Sequence, residues 1–216
     1  NMKKIFLLLL SLLLVVGCSN NEEKDPIIDD DSNIEEKELK EPIVDWCQVY
    51  NPNGFNTVTC LLTNPNKVDI EVTYDLVYYK DGKEIARSEN YSNFNVSPKH
   101  KDVIWGNVGI PDPSKVEEVK MENIQVFESY NKSIDAEIKH TDTKDGYEYF
   151  SIKHEKDPEV STVSFFLYND VNKNKKCDKG ELVVVSTSST FEKEDTVYFE
   201  IEGYDYTNYE IFYNAY

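Results

Sequence analysis

The chain has 216 residues, of which 41 are acidic and 23 basic, and its formal net charge is −18. The phosphates of nucleic acids and the headgroups of anionic lipids repel such a chain, so we expect no nucleic-acid partner and no basic patch that holds it to a membrane. Fifteen tyrosines and ten phenylalanines, with eight glycines and eight prolines, favour strands and turns.

A short apolar run opens the chain. Lys3 and Lys4 precede twelve uncharged, mostly apolar residues, 5–16. A membrane span needs about 20 such residues, so the run has the length and order of a secretory signal instead. It ends in Gly17 and Cys18, and together with the two preceding valines these residues resemble the lipobox of bacterial lipoproteins.

The resemblance implies that residues 1–17 are a signal peptide and that Cys18 carries a thioether-linked diacylglycerol, with a further acyl chain on its amine in Gram-negative bacteria. Two or more chains form a stable anchor, so the expected location is the extracytoplasmic face of the cell membrane. Loss of Lys3 and Lys4 with the leader takes the net charge from −18 to −20. An ordinary secretory signal, in which Cys18 is incidental, stays open as the alternative.

Acidic residues dominate the next segment. Residues 19–41 hold ten acidic and three basic residues and few large apolar ones. Such a composition cannot bury a core, so residues 18–42 are predicted to be a disordered, extended tether that begins with the lipidated cysteine. A short surface helix over 34–40 is the alternative.

From residue 43 the chain shows short runs with two-residue alternation, separated by turn signals, which is typical of an all-β sandwich. A turn is predicted at Asn51-Pro52-Asn53-Gly54, and Asp81-Gly82 can supply the positive φ angles of a type I′ hairpin. The predicted strands cover 44–50, 56–62, 70–79, 84–91, 103–108 and 119–128. Six strands in about 85 residues suit an immunoglobulin-like sandwich, which we place at 43–129.

Two segments of this region carry a family resemblance. Residues 63–67, Thr-Asn-Pro-Asn-Lys, and the strand and Lys-Asp-Gly hairpin over 72–83 resemble the FxLYD-type immunoglobulin-like domains of Gram-positive lipoproteins. Asp75 stands where that family has Phe. The resemblance covers at most 43–129 and implies an adhesive or scaffolding role without catalysis.

The strand pattern restarts after residue 129. Further strands are predicted over 134–139, 147–154, 160–168, 181–188, 196–201 and 209–213, which form a second immunoglobulin-like sandwich at 130–216. Residues 130–132 are too few for a flexible linker, so the two sandwiches are expected to form a rigid tandem. One larger β sandwich is the alternative.

One motif in the second region has a defined chemistry. Residues 170–181 reproduce the ligand spacing of an EF-hand calcium loop, in which alternate oxygens of a tightly turning chain surround one cation. Positions 1, 3, 5, 7, 9 and 12 are Asp170, Asn172, Asn174, Lys176 through its backbone carbonyl, Asp178 and Glu181. The flanks are strand-like, so a bound Ca²⁺ would be structural. A metal-free Asn- and Lys-rich turn is the alternative.

Two features of the loop predict weak binding. Position 6 is Lys175, where a glycine usually accommodates a positive φ, and four lysines stand among three carboxylates. The expected affinity is that of extracellular modules, about 10⁻⁴ to 10⁻³ M. Cys177, at position 8, is expected to be a buried, unpaired thiol.

Two more cysteines can meet across the first predicted hairpin. If Val49 pairs with Val58, Cys47 lies opposite Cys60 on the same face, so a disulfide is geometrically allowed. Two buried thiols are the alternative.

Little in the sequence supports a catalytic function. His100, His140 and His154 lack metal-type spacing and are expected at the surface. Most aromatic residues are expected in the core or in cross-strand ladders, with Tyr204 and Tyr206 the best exposed candidates.

The sequence therefore predicts a non-catalytic, membrane-anchored surface lipoprotein that acts in adhesion, as a scaffold or as an accessory-binding module toward an extracellular protein or glycan. A solute- or glycan-binding lipoprotein of a transport system is the first alternative, and an envelope hydrolase is the second.

Overall fold

The computed structural model describes residues 38–50, 57–106 and 112–216. The predicted leader, Cys18, nearly all of the tether and the turn at 51–54 lie outside these ranges. No helix within them is long and apolar enough to cross a membrane.

Twelve strands and one short 3₁₀ helix make up the regular structure of the described ranges. The strands are β1 (Ile43–Tyr50), β2 (Thr57–Thr63), β3 (Ile70–Lys80), β4 (Lys83–Val96), β5 (Asp102–Gly106), β6 (Glu118–Glu128), β7 (Ala136–Lys144), β8 (Tyr147–His154), β9 (Ser161–Tyr168), β10 (Leu182–Thr190), β11 (Glu194–Glu200) and β12 (Asn208–Ala215). The 3₁₀ helix, Pro113–Lys115, precedes β6.

Each predicted strand overlaps one of these, and the all-β class is confirmed. Several strands are longer than predicted; among them β4 continues to Val96, β7 to Lys144 and β12 to Ala215. The extension of β7 ends in a hairpin at Asp145 and Gly146, whose φ angles of 53° and 80° match those of Asp81 and Gly82, 49° and 69°. Both Asp-Gly pairs thus supply the two positive φ values of a type I′ turn.

The strands form four antiparallel three-stranded sheets, which we number by their packing order. Sheet I has the order β4-β3-β6, sheet II β1-β2-β5, sheet III β10-β9-β12 and sheet IV β11-β8-β7. Sheets I and II come from the first half of the described chain, and sheets III and IV from the second half.

Sheets I and II pack face to face, and so do sheets III and IV. Cys60 and Leu62 of sheet II share one buried cluster with Val72 and Tyr78 of sheet I. Phe165 of sheet III lies in a second cluster, where its ring stacks on Phe199 of sheet IV with centroids 4.8 Å apart. Each pair of sheets therefore has an apolar core of its own, as in a β sandwich.

A third apolar cluster joins sheet II to sheet III. Trp46 and Leu61 of sheet II pack with Phe166 and Phe212 of sheet III, and the Trp46 and Phe166 ring centroids are 6.0 Å apart. The two inner sheets are consequently covered on both faces. Residues 57–62 of β2 are all buried, as is nearly all of β9, which removes the two-residue alternation that marks a half-exposed strand.

Polar groups close the same interface near the segment that links the two sheet pairs. Asn214 Nδ2 donates to the backbone oxygen of Asn95 at 2.5 Å and to Oδ1 of Asp102 at 2.6 Å. The other Asp102 oxygen accepts from the Ser97 backbone nitrogen at 2.7 Å. Burial raises the pKa of Asp102 well above its ordinary value, and the nearby charge of Asp69 adds to the effect.

Candidate metal centre

The predicted ligand loop, residues 170–181, connects β9 to β10 on the exposed surface. Its ends are tied together, because the Asn169 backbone nitrogen donates to the Glu181 backbone oxygen at 2.9 Å. The Glu181 carboxylate accepts from the backbone nitrogen of Val171 at 3.0 Å and from that of Asp178 at 3.1 Å. The side chain at position 12 thus holds both halves of the loop.

Asp170, at position 1, organises the first turn of the loop. Its two carboxylate oxygens accept from the backbone nitrogens of Asn174 and Lys175, each at 3.0 Å. Lys175 has a φ of 62°, the left-handed conformation that the sequence predicted for position 6. A lysine there costs about 1 kcal/mol relative to an unstrained conformation, which the hydrogen bonds to Asp170 offset.

The side chains at positions 3, 5 and 9 converge on one point. The amide nitrogens of Asn172 and Asn174 both donate to Oδ2 of Asp178, at 2.6 and 2.8 Å. Their amide oxygens accept from the backbone nitrogens of Asn174 and Lys176, at 3.0 and 2.7 Å. A 180° rotation of either amide would present oxygen to the Asp178 side and would break these backbone hydrogen bonds. Three carboxylates, two amides and a backbone carbonyl form the oxygen-rich donor set that suits Ca²⁺.

The carboxylates of the loop do not by themselves form a metal-binding group. Within the described ranges, no group of three His, Cys, Asp or Glu side chains is placed to hold a metal ion. The ligand set that the spacing predicted, which adds Asn172, Asn174 and the Lys176 carbonyl to the carboxylates, stays a prediction.

The second half of the loop turns inward. Cys177 is 3% exposed and belongs to the apolar cluster between sheets II and III. Burial raises the pKa of its thiol to about 12, so the group is a neutral, unreactive part of the core. Its backbone nitrogen donates to Oε2 of Glu210 in β12 at 3.0 Å, and burial also raises the pKa of Glu210.

Two side chains of β1 hold the backbone of this inward half. Trp46 Nε1 donates to the Cys177 carbonyl at 3.0 Å. Gln48 Oε1 accepts from the Gly180 nitrogen at 2.8 Å, and Gln48 Nε2 donates to the Leu182 carbonyl at 3.5 Å. The loop is thus bonded to residues more than 130 positions earlier in the chain.

The cysteine pair lies in the same strand. Cys47 faces Cys60 in the register that places Val49 opposite Val58, and the two sulfurs form a disulfide across a separation of 13 residues. Because side chains alternate along a strand, Cys47 faces the core of sheets I and II while Trp46 and Gln48 face the loop.

The histidines differ from one another in burial: His140 alone is exposed, His100 is half-buried, and the prediction of a surface position is wrong for His154. His154 is 1% exposed, and its Nε2 lies 2.9 Å from the Ser161 hydroxyl. It is the last residue of β8, and Ser161 is the first residue of β9. His140 is exposed and contacts Glu148 at 2.6 Å.

The well-exposed tyrosines of the described ranges are not the expected pair, and the most exposed of them is Tyr130, at 97%. Tyr204 and Tyr206 are half-buried against the core of sheets III and IV. Tyr198 is 61% exposed, and its ring centroid lies 5.7 Å from Tyr147 and 5.8 Å from Tyr149 on the outer face of sheet IV. The two-residue spacing of Tyr147 and Tyr149 is the signal that could have placed this cluster.

No family model matches the chain, and no curated protein matches its sequence.

Proposed function

We propose that this chain is a non-catalytic bacterial surface lipoprotein with a structural Ca²⁺ site. Acyl chains on Cys18 anchor it at the extracytoplasmic face of the cell membrane, and residues 18–42 form its tether. Two immunoglobulin-like sandwiches, at 43–129 and 130–216, serve in adhesion, as a scaffold or as an accessory-binding module for an extracellular protein or glycan. The first sandwich is of the FxLYD type.

The convergence of Asn172, Asn174 and Asp178 on one point is the observation that carries the proposal. Without a cation, three carboxylates in one short exposed loop repel each other, and a divalent ion removes that repulsion. Lysines and the strained position 6 keep the affinity low, so the site fills at the millimolar calcium of extracellular fluids. A loop of this affinity fits a protein that works outside the cytoplasm.

The buried polar groups support a structural role for the sheets. Asp75 accepts from Arg87 at 2.9 Å and from Asn123 at 2.6 Å. Asp102 bonds Ser97 and Asn214, and His154 contacts Ser161. These groups have the chemistry of catalytic acids and bases, and each takes part in hydrogen bonds that join strands or sheets.

Titration calorimetry tests the metal site. The full chain should bind one Ca²⁺ with a dissociation constant of about 10⁻⁴ to 10⁻³ M and should melt at a higher temperature in calcium than in chelator. The D170A/E181A variant should show neither effect. D157A/E159A, which removes two exposed carboxylates elsewhere in the second half, is the matched control and should behave as the parent. Absence of a heat of binding in the parent up to about 10 mM Ca²⁺ would contradict the metal site.

Metabolic labelling with an acyl-chain analogue tests the anchor. The parent expressed in a bacterium should incorporate the label and fractionate with membranes, and Cys18→Ser should lose both properties while retaining its fold. A labelled Cys18→Ser variant would contradict the lipid anchor and leave the metal site unaffected.

A further inference from the structure

The contacts between β1 and loop 170–181 have a consequence for cation binding. The loop belongs to the second pair of sheets, yet the Cys177 carbonyl, the Gly180 nitrogen and the Leu182 carbonyl are bonded by Trp46 and Gln48 of the first pair. These backbone groups lie at positions 8 and 11 of the loop and directly after position 12. They flank two ligands, Asp178 and Glu181.

We infer that packing of the first sheet pair on the second preorganises the calcium loop, so that Ca²⁺ binding and closure of the interface between sheets II and III favour each other. Trp46 and Gln48 are the positioning residues. This inference rests on the proposed calcium site. It adds that the bound cation stabilises the interface between sheets II and III as well as the loop itself.

Two observations support the direction of the coupling. First, Cys177 at position 8 is part of the apolar cluster of the interface, so the loop cannot leave its place without exposing that cluster. Second, Glu181 bonds the Asp178 nitrogen while Gln48 bonds the Gly180 nitrogen, so one short segment carries both the ligand and the interface contacts.

Thermodynamic linkage then gives the expected size. If Gln48 orders residues 177–182 in the absence of the cation, a variant without Gln48 must order this segment when Ca²⁺ binds. That ordering costs free energy, so the affinity for Ca²⁺ falls. The net effect of a typical hydrogen bond corresponds to a factor of about five. Gln48→Ala and Trp46→Phe, which removes the indole N–H and retains an aromatic ring, should each weaken Ca²⁺ binding by about that factor.

Calorimetry with CaCl₂ on the full chain tests the inference. Gln125→Ala, which changes an exposed glutamine of β6 in sheet I, is the matched control and should bind Ca²⁺ as the parent does. Far-UV circular dichroism checks that each variant is folded, and Trp46→Phe supplies the result should Gln48→Ala fail this check.

A second readout reports the interface itself. In the Cys18→Ser background, with the Cys47–Cys60 disulfide intact, alkylation of Cys177 by iodoacetamide measures how often the interface opens. Calcium should slow this reaction by about fivefold, and Asp170→Asn should abolish the protection.

The outcomes separate the two proposals. Normal Ca²⁺ binding by the parent and by both β1 variants, with Cys177 alkylation independent of calcium, would overturn the coupling and leave the metal site standing. Absence of binding in the parent would overturn both. Weaker binding in both β1 variants together with calcium protection of Cys177 would support the coupling.

Discussion

The interface between sheets II and III has a loop side, next to residues 170–181, and a linker side, next to the segment that links the two sheet pairs. The two sides differ in chemistry. On the loop side, Trp46 and Gln48 bond neutral backbone groups and an apolar cluster fills the space. On the linker side, Asn214 and a backbone N–H bond the buried carboxylate of Asp102. The loop side should therefore respond to packing changes and cations, and the linker side to pH.

The largest expected effect is on the loop side. Trp46→Ala removes a 7% exposed side chain and should lower the free energy of unfolding by about 4 kcal/mol, because it leaves a cavity between two sheets and an unpaired carbonyl. Urea denaturation measures it. Trp105→Ala, at a residue 44% exposed, is the control and should cost less than half as much; equal losses would contradict the packing role of Trp46.

The disulfide should come next. Cys47→Ala/Cys60→Ala should lower the free energy of unfolding by about 3 kcal/mol, since the cross-link closes a loop in the unfolded chain. Denaturation with and without a reducing agent measures it. The reductant should have no further effect on the double variant, and an equal effect on parent and variant would show that the bond does not form.

The linker side should make the free energy of unfolding depend on pH. The folded-state pKa of Asp102 is raised, so the folded state binds more protons than the unfolded state above about pH 4, and stability falls as the pH rises through the raised pKa. The slope from this residue is at most about 1.4 kcal/mol per pH unit.

Asp102→Asn tests this expectation because it removes the titration and nearly preserves the shape. The difference in unfolding free energy, parent minus variant, should decrease as the pH rises from 4 to 8. Asp157→Asn, at an exposed position, is the matched control for the loss of one aspartate. A difference that increases with pH for Asp102→Asn would mean that the carboxylate stabilises the fold as an anion.

The smallest effect is expected at position 6 of the loop. Lys175→Gly relieves a φ of 62° and should raise the unfolding free energy by about 0.5 kcal/mol, once the added freedom of the unfolded chain is included. It should also bind Ca²⁺ more tightly, since one positive charge is removed. Lys179→Gly removes the same charge without relieving a positive φ, so a gain of stability there would contradict the conformational explanation.

Local patterns predicted most of the fold. Two-residue alternation and turn residues predicted the twelve strands, because every second side chain of a half-buried strand faces the core and is apolar. The Asp-Gly pair at 81–82 predicted its hairpin, and the same pair at 145–146 carried a signal of equal strength. The turn-forming residues of 170–181 predicted a tight loop, in which the side chains of Asn172 and Asn174 contact that of Asp178, because a tight turn places alternate residues on one inner surface. The calcium ligands at these positions stay a prediction.

The tertiary structure decided what lies between the sheets. The packing of sheet II on sheet III buries β2 and β9 on both faces, and no local pattern states which sheet covers which. The hydrogen bonds from Trp46 and Gln48 to the loop join residues more than 130 positions apart. A pattern within a short stretch of sequence cannot predict contacts at that separation. Burial of Asp102 and His154 was decided in the same way, since a polar side chain enters a core only where distant partners satisfy it.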